Sequence, residues 1–176
     1  MMGHDELVKF LKDIRKLKLM PRSGWIYYKI KNLETIGSHS FGTAILSLIL
    51  AQGKKLNEEK IIKMALFHDL AEARTGDLTP RDKGYKFKNE IERENLKTMV
   101  KNLPLNLQNE IIGLVEEFIK GKTKEAEIVK TADLLDAVFM ALEYEKRSKK
   151  LNEFFQVKFK DPFAQEFYEY LKSLRE

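Results

Sequence analysis

Helical periodicity runs through almost the whole chain, and it restricts the fold more than any other feature of the sequence. Apolar residues recur three and four positions apart, as on the buried face of an amphipathic helix; the first such set is Leu7, Phe10, Leu11 and Ile14. No segment shows a convincing alternation of apolar and polar residues of the kind that marks a strand. We therefore predict an all-α fold, a compact helical bundle, in which residues 1–176 form a single domain with a C-terminal closing helix.

Glycine, proline and asparagine separate the predicted helices, as expected for residues that begin, end or interrupt helical segments. Asn57, for example, is a good N-cap because Glu58 and Glu59 follow it in the first turn, where the helix dipole favours acidic side chains. After the first helix, the predicted helices span residues 38–51, 57–73, 89–102, 106–120, 124–147 and 162–174, and the main loops span 21–37 and 75–84.

The composition excludes several classes of protein. The chain has no cysteine, so disulfide scaffolds, thiol catalysis and cysteine-based metal sites are ruled out, and any metal must bind to His, Asp or Glu. The net charge of +5 is spread over mixed acidic and basic helix faces, which suits solvated surfaces or a phosphorylated ligand. No apolar run of about 18 residues is present, so we expect no membrane association and a cytoplasmic location.

Side chains that ligate metals interrupt three apolar helices. His68 and Asp69 follow the apolar residues 64–67, His39 lies near the start of another apolar helix, and Asp133 lies within a third. Burying a histidine and a carboxylate is costly unless they pair or bind an ion. Packed together, the three helices would present two imidazoles and two carboxylates to one metal ion.

A mixed nitrogen and oxygen ligand set suits one divalent ion, which could be cobalt, manganese, magnesium, zinc, nickel or iron. Such an ion lowers the pKa of bound water and neutralises charge that builds up on phosphorus. Glu72 shares a helix face with His68 and Asp69, so we expect it to orient or deprotonate that water. Asp77, in the following loop, would serve the leaving oxygen or a substrate hydroxyl.

Each of these residues also has an ordinary structural interpretation. Asp69 could cap the next turn, Asp133 could pair with Lys130 one turn earlier, and His39 could be a hydrogen-bonded core histidine. The aromatic side chains near the end of the chain are predicted to be core or dimer contacts: Phe154, Phe155, Phe159, Phe163, Phe167 and Tyr168. The four-residue pattern is more specific than any one of its members.

The order His39, His68-Asp69, Asp133 resembles the HD-domain metal-dependent phosphohydrolase superfamily. Within it, the segment His-Asp-Leu-Ala-Glu-Ala-Arg-Thr-Gly-Asp-Leu at residues 68–78 is similar to the 5′-deoxynucleotidase subfamily. Three further segments carry the same resemblance, namely residues 21–25, 34–41 and 130–137. The resemblance extends from the first helix to about Arg147.

The resemblance implies a helical bundle, usually a homodimer, that removes the 5′-phosphate from deoxynucleoside monophosphates with a divalent ion such as cobalt or manganese. It assigns metal ligation to His39, His68, Asp69 and Asp133, catalysis to Glu72 and Asp77, and substrate contacts to Arg22, Trp25, Asp77 and Thr79. Arg22 would hold the phosphate, Trp25 would pack on the sugar and exclude a 2′-hydroxyl, and Thr79 would line the pocket.

The sequence departs from the subfamily pattern directly before the first metal histidine. The family often has an acidic residue there, and this chain has Ser38. The change bears on the outer contacts that fix the His39 ring. Asp136, one turn beyond Asp133, could supply such a contact or could pair with a basic side chain.

Two other functions are compatible with the sequence. The same metal site could act on a nucleoside triphosphate, a cyclic nucleotide or a signalling nucleotide. Alternatively, the chain could be a non-catalytic helical module that binds RNA through its basic surface, although we do not expect a nucleic-acid partner. Such a module would not need the four ligand residues, and its RNA affinity would survive Asp69→Ala and fall steeply with salt.

Overall fold

The predicted all-α architecture is confirmed by a computed structural model, which describes residues 3–146 and 151–175; no β-strand occurs within them. The helices are α1 (His4–Leu17), α2 (Ser23–Ile26), α3 (Ile36–Ala51), α4 (Glu58–Phe67), α5 (Glu72–Thr75), α6 (Lys88–Val100), α7 (Leu105–Lys120), α8 (Lys124–Glu145) and α9 (Pro162–Ser173). Short 3₁₀ turns cover Tyr85–Phe87 and Asn152–Phe155.

Helix α3 lies at the centre and packs along both α4 and α8, so the three helices that carry the predicted metal ligands are direct neighbours. The larger apolar core lies between these helices and the closing helix α9. A smaller core joins α1, α6 and α7 to Leu70, Ala71 and Ala73. The turn that carries the His68-Asp69 pair therefore lies where the two cores meet.

Helix α3 begins at Ile36, two residues before the predicted start at Ser38. Thr35 is the N-cap, and it forms a capping box in which the Ser38 backbone N–H donates to the Thr35 hydroxyl, while the Thr35 backbone N–H donates to the Ser38 hydroxyl. This reciprocal pair satisfies donors that a helix start leaves free. Ser38 thus has a structural task, and His39 lies in the first turn of α3.

Helix α4 ends at Phe67, so the prediction of one continuous helix over 57–73 was wrong. The Ala65 carbonyl, which would accept from the Asp69 backbone N–H in a continuing helix, accepts from the His68 ring at 2.7 Å. Tighter turns follow, in which Glu72 N–H donates to the Asp69 carbonyl at 3.0 Å, before α5 begins. The His68 side chain thus bonds to the last turn of α4, directly before the turns that hold Asp69 and Glu72.

The predicted loop over 21–37 contains the short helix α2 and folds back on itself. Arg22 N–H donates to the Glu34 carbonyl at 3.1 Å, and Ile36 N–H donates to the Met20 carbonyl at 2.9 Å. These bonds join the two ends of residues 21–35 and close the segment into a compact loop. Its two ends meet beside the start of α3, which brings Arg22 and Trp25 towards the predicted metal ligands.

The remaining predicted helices are present with shifted ends. Helix α8 is described to Glu145, and the predicted end at Arg147 lies outside the described residues. The predicted closing helix is α9, which starts with Pro162 after the N-cap Asp161. None of the described helices has the length and apolar character that a membrane span requires.

Candidate active site

A cavity of about 810 Å³ opens over the junction of α3, α4 and α8, and most of the predicted site residues line it. The predicted residues in its wall are Arg22, Trp25, His68, Asp69, Asp77, Thr79 and Asp133. His39 and Glu72 lie behind this wall and have no exposed surface. The cavity size is within the range of about 300–1,000 Å³ that small-molecule sites occupy.

The His39 ring is held between two carboxylates of α8. Its Nδ1 lies 2.7 Å from Asp136 Oδ2, and its Nε2 lies 3.1 Å from Asp133 Oδ1. Burial and the nearby Arg22 would lower the His39 pKa, but the two carboxylates raise it to about 10. With Asp136 fixing Nδ1, the second nitrogen faces Asp133 and Asp69.

His68 presents a free ring nitrogen to the same point. Its Nδ1–H donates to the Ala65 carbonyl, which leaves Nε2 as an acceptor. That Nε2 is buried, lies 3.2 Å from Asp69 Oδ2 and has no hydrogen-bond partner among the described residues. A buried nitrogen lone pair without a partner is costly, and a bound metal ion would remove that cost.

The four predicted ligands thus converge. Ligand atoms of His39, His68 and Asp69 lie within 4.8 Å of one another, and Asp133 joins them through its contact with His39. Burial alone would raise the pKa of Asp69, but the neighbouring His68, Arg22 and His39 hold it well below its usual range. An ionised carboxylate beside two imidazoles is a donor set that fits a borderline divalent ion.

Glu72 is fully buried next to this cluster. Its Oε1 accepts from Lys88 Nζ at 3.0 Å, whereas Oε2 has no hydrogen-bond partner within the described part of the chain. Burial, together with the charges of Asp69 and Asp77, raises the pKa of Glu72 well above its usual range, and Lys88 opposes this. A carboxyl group with a raised pKa holds a proton more readily than an ordinary carboxyl group, and this suits it to acid–base catalysis.

Arg22 links the cluster to the entrance of the cavity. Its Nη1 donates to Asp69 Oδ2 at 2.9 Å, and its Nε lies 4.0 Å from Asp77 Oδ2. Asp77 also accepts from the Ser23 backbone N–H at 2.8 Å, which ties α2 to the loop after α5. The guanidinium therefore stands where it could pair with a phosphate bound at the acidic cluster.

Thr79 lines the cavity wall, but its hydrogen bonds run to its neighbours. Its hydroxyl and its backbone N–H both donate to Asp82 Oδ2 at 2.7 Å. Tyr27 reaches the same hydroxyl at 3.2 Å. Thr79 therefore lies in the cavity wall, where the resemblance expects it, and its hydrogen bonds also hold the loop.

Trp25 is not the exposed loop residue that a sugar-packing role suggests. Only 2% of its surface is exposed, because the ring stacks on Phe154 at a centroid distance of 4.4 Å and meets Tyr144 edge-on at 5.1 Å. Its Nε1–H donates to Glu34 Oε1 at 2.6 Å. The indole belongs to the core and presents only a narrow edge to the cavity.

Lys130 does not pair with Asp133 as the ordinary interpretation required. Its ammonium group lies 4.8 Å from the centre of the Phe118 ring, and both residues line the cavity. Asp133 is left to contact His39. Lys130 instead adds positive charge to the wall of the cavity, which favours an anionic ligand.

Asp136 is the residue that contacts the His39 ring on the side away from the proposed metal, and Gly42 leaves space for its carboxylate. A Cβ built on Gly42 would lie 2.3 Å from Asp136 Oδ1, so this position of α3 admits no side chain without moving the carboxylate. Ser38, the departure from the family pattern, is occupied in the capping box. The ring orientation therefore depends on Gly42 and Asp136.

We expect Gly42→Ala to weaken metal binding by roughly 10- to 100-fold, the usual cost of losing an outer contact to a ligand histidine. Titration of the metal-free protein with Co²⁺ or Mn²⁺ by calorimetry would measure the change. Gly113→Ala is the matched control, because no atom lies within 4 Å of a Cβ at that helical glycine. Equal affinities in wild type and both variants would contradict the assigned role of Gly42.

Sequence reasoning missed several residues of this site. Lys88, which contacts Glu72, and Phe154, which stacks on Trp25, come from distant segments, and Phe154 was predicted only as a core or dimer contact. Gly42 lies in an apolar helix with no mark in the sequence that distinguishes it. Glu34 lies within a segment that carries the family resemblance, which was the one available signal.

Comparison with known proteins agrees with this geometry. The HD domain family profile matches residues 14–174. The 5′-deoxynucleotidase HDDC2 of Xenopus laevis is 36% identical over 163 residues, covering 89% of this chain and 81% of that protein. A conserved hypothetical protein of Pyrococcus furiosus superposes with a TM-score of 0.81 at 32% identity, covering 94% of this chain and 99% of that one.

A more distant structure shares the fold. The predicted metal-dependent phosphohydrolase of Magnetospirillum magnetotacticum MS-1 superposes with a TM-score of 0.72 at 21% identity, covering 99% of this chain and 94% of that one. The family match spans the predicted metal ligands on α3, in the turn after α4 and on α8, and the fold holds these three segments as neighbours. The chain therefore belongs to the HD domain family.

Proposed function

We propose that this protein is a metal-dependent 5′-deoxynucleotidase, which hydrolyses the phosphate ester of deoxynucleoside monophosphates. The observation that carries the proposal is the cluster of buried His39 and His68 with half-buried Asp69 and Asp133, and with buried Glu72 beside it. Relatives named 5′-deoxynucleotidase HDDC2, including those of Xenopus laevis and Homo sapiens at 36% and 33% identity, support the choice of substrate.

The four residues named above would hold one divalent ion, and the unpaired Nε2 of buried His68 is the feature that fits it best. When bound, such an ion supplies a low-pKa water and offsets negative charge on the phosphate. Mixed nitrogen and oxygen ligands suit cobalt and manganese, the ions that the family resemblance implies, and they also suit zinc, nickel and iron.

Arg22 is the proposed partner of the substrate phosphate. Its guanidinium pairs with Asp69 at 2.9 Å, a contact that a phosphate oxygen could take over in part. Arginine meets phosphate with two parallel N–H donors, which fixes orientation as well as charge. Lys88 and Lys130 in the cavity wall add further attraction for an anion.

Glu72 is the proposed acid–base group. Lys88 fixes one of its carboxyl oxygens and leaves the other free to accept a proton from the attacking water. Its raised pKa suits a group that must later return that proton to the leaving 5′-oxygen of the sugar. Asp77, held by the Ser23 backbone N–H, would position that end of the sugar or assist the return of the proton.

A homodimer and a cytoplasmic location stay predictions. An exposed apolar face supports the first, since Phe41, Ile45 and Ile49 lie four residues apart on α3 and are 65%, 45% and 50% exposed. Sedimentation equilibrium would decide the oligomeric state.

The first test is phosphate release from dAMP, dGMP, dTMP and AMP with cobalt, manganese, magnesium or zinc, with a chelator as control. We expect release from the deoxynucleotides, little from AMP, and none with the chelator. No release from any monophosphate with any metal would sink the proposal. Triphosphates, cyclic nucleotides and RNA binding would then be examined in its place.

A further inference from the structure

Glu34 makes contacts in three directions, although no role has been assigned to it. Its backbone carbonyl accepts from the Arg22 backbone N–H at 3.1 Å, and its backbone N–H donates to the Tyr144 hydroxyl at 2.7 Å. Its carboxylate accepts from the Trp25 indole N–H at 2.6 Å. Glu34 thus contacts Arg22, the proposed partner of the phosphate, through its backbone. Through its side chain it contacts Trp25, which the family resemblance assigns to the sugar.

The same carboxylate reaches towards the metal side of the site. Carboxylate oxygens of Glu34 and Asp136 and a ring nitrogen of His39 lie within 4.8 Å of one another. Asp136 directly holds the His39 ring. Glu34 therefore lies between the contacts that orient the first metal histidine and the indole at the edge of the cavity.

The hydrogen bond to Glu34 sets the position of the indole along its own plane. Stacking on Phe154 and the edge contact with Tyr144 restrict the tilt of the ring, but apolar ring contacts allow sliding. The bond from Nε1–H to a partly buried carboxylate is directional and charge-assisted. Trp25 lines the cavity with only 2% of its surface exposed, so a small slide of the ring would change the shape of the cavity wall.

We propose that Glu34 is a positioning residue for sugar selectivity, acting by holding the Trp25 indole where it excludes a 2′-hydroxyl. The inference rests on the proposed function, since it concerns the substrate sugar of that reaction. Glu34 does not itself face the cavity wall, so its effect is exerted through Trp25. Discrimination against an added hydroxyl by an apolar surface is limited to about 100-fold, so a loss of about tenfold is a large share of it.

The lone tryptophan makes the positioning step measurable without any substrate. The chain contains one tryptophan, so tryptophan fluorescence reports on Trp25 alone. In Glu34→Ala we expect an altered emission maximum and stronger quenching by acrylamide than in wild type. Glu34→Gln keeps an oxygen that can accept from the indole, and we expect quenching close to wild type. Glu59→Ala, at an exposed position of α4, is the control.

The second arm compares kcat/KM for dAMP and AMP in the same proteins. Glu34→Ala should lower the dAMP-to-AMP ratio by about tenfold, mainly through better use of AMP, whereas Glu34→Gln and Glu59→Ala should keep it. A purely structural role would lower both values together and leave their ratio unchanged. If Glu34→Ala fails to fold, Glu34→Asp, which withdraws the carboxylate by one methylene group, takes its place.

The two arms separate this inference from the proposed function. Wild-type quenching and a wild-type ratio in folded Glu34→Ala or Glu34→Asp would overturn the inference while the nucleotidase assignment stands. No hydrolysis of any monophosphate by the wild-type enzyme would overturn the proposed function and the selectivity claim with it. In that case the quenching comparison would still decide whether Glu34 positions Trp25.

Discussion

Asp69→Ala is expected to abolish both metal binding and phosphate release. Asp69 lies at the centre of the site, because its Oδ2 is 3.2 Å from His68 Nε2, 3.9 Å from His39 Nε2 and 2.9 Å from Arg22 Nη1. Removing it would delete a proposed ligand and free Arg22 from its main partner. The loss of activity should exceed the roughly 10- to 100-fold that follows loss of an outer contact.

The measurement is metal content after equilibration with Mn²⁺ or Co²⁺ and removal of free ions, together with phosphate release from dAMP. Asp5→Ala, in the first turn of α1 and remote from the cavity, is the control for loss of an acidic residue. Circular dichroism would establish that Asp69→Ala is folded. Wild-type metal content in Asp69→Ala would remove this residue from the ligand set.

Glu72→Gln should separate catalysis from metal binding. Glutamine keeps the size of the side chain but cannot accept and return a proton, so we expect kcat to fall by about 10²- to 10⁴-fold. Metal content should stay at the wild-type value, because Glu72 is not among the proposed ligands. Glu94→Gln, on the exposed side of α6, controls for the change of charge. Wild-type kcat in Glu72→Gln would exclude the proposed acid–base role.

The same substitution should stabilise the metal-free protein at neutral pH. Folding raises the pKa of Glu72, so the folded state binds the proton of this carboxyl group more tightly than the unfolded chain does. Each tenfold increase in that proton affinity corresponds to about 1.4 kcal/mol. Above the unfolded pKa, ionisation of buried Glu72 therefore works against folding. Glutamine resembles the protonated form and avoids this cost.

The upward direction of the Glu72 pKa shift determines the pH range in which the stability difference should appear. The stability advantage of Glu72→Gln should be largest above the raised pKa of Glu72 and should shrink as the pH falls through it, where wild type is itself protonated. Thermal unfolding of metal-free wild type and variant at several pH values from acidic to neutral would measure this. An advantage that grows towards acidic pH would contradict a raised pKa for Glu72.

Much of the fold was predictable because its causes are local. Apolar residues at helical spacing, together with N-caps such as Asn57, define amphipathic helices regardless of their neighbours. Helix ends were less predictable, because they depend on particular hydrogen bonds. At the break after Phe67 the His68 ring bonds to the Ala65 carbonyl, and at the early start of α3 Thr35 and Ser38 form a capping box.

The proposed metal ligands could be identified because histidine and aspartate are out of place in apolar helices. A polar residue within an apolar helical segment indicates a side chain that needs a partner when buried, and this can be recognised without the three-dimensional structure. Trp25 shows the limit of this approach. A single tryptophan in a loop suggested contact with a ligand, but its environment is created by Phe154 and Tyr144, more than a hundred residues away in the chain.

The sequence by itself determined the helical class, the absence of cysteine chemistry and the four residues proposed to bind metal, because composition, periodicity and polar interruptions are properties of short segments. Only the tertiary structure decided how these residues are held. Gly42 makes room for Asp136, Lys88 fixes Glu72, and Glu34 ties Trp25 to the site. Such contacts join residues distant in the chain, and their energies arise only when the helices pack.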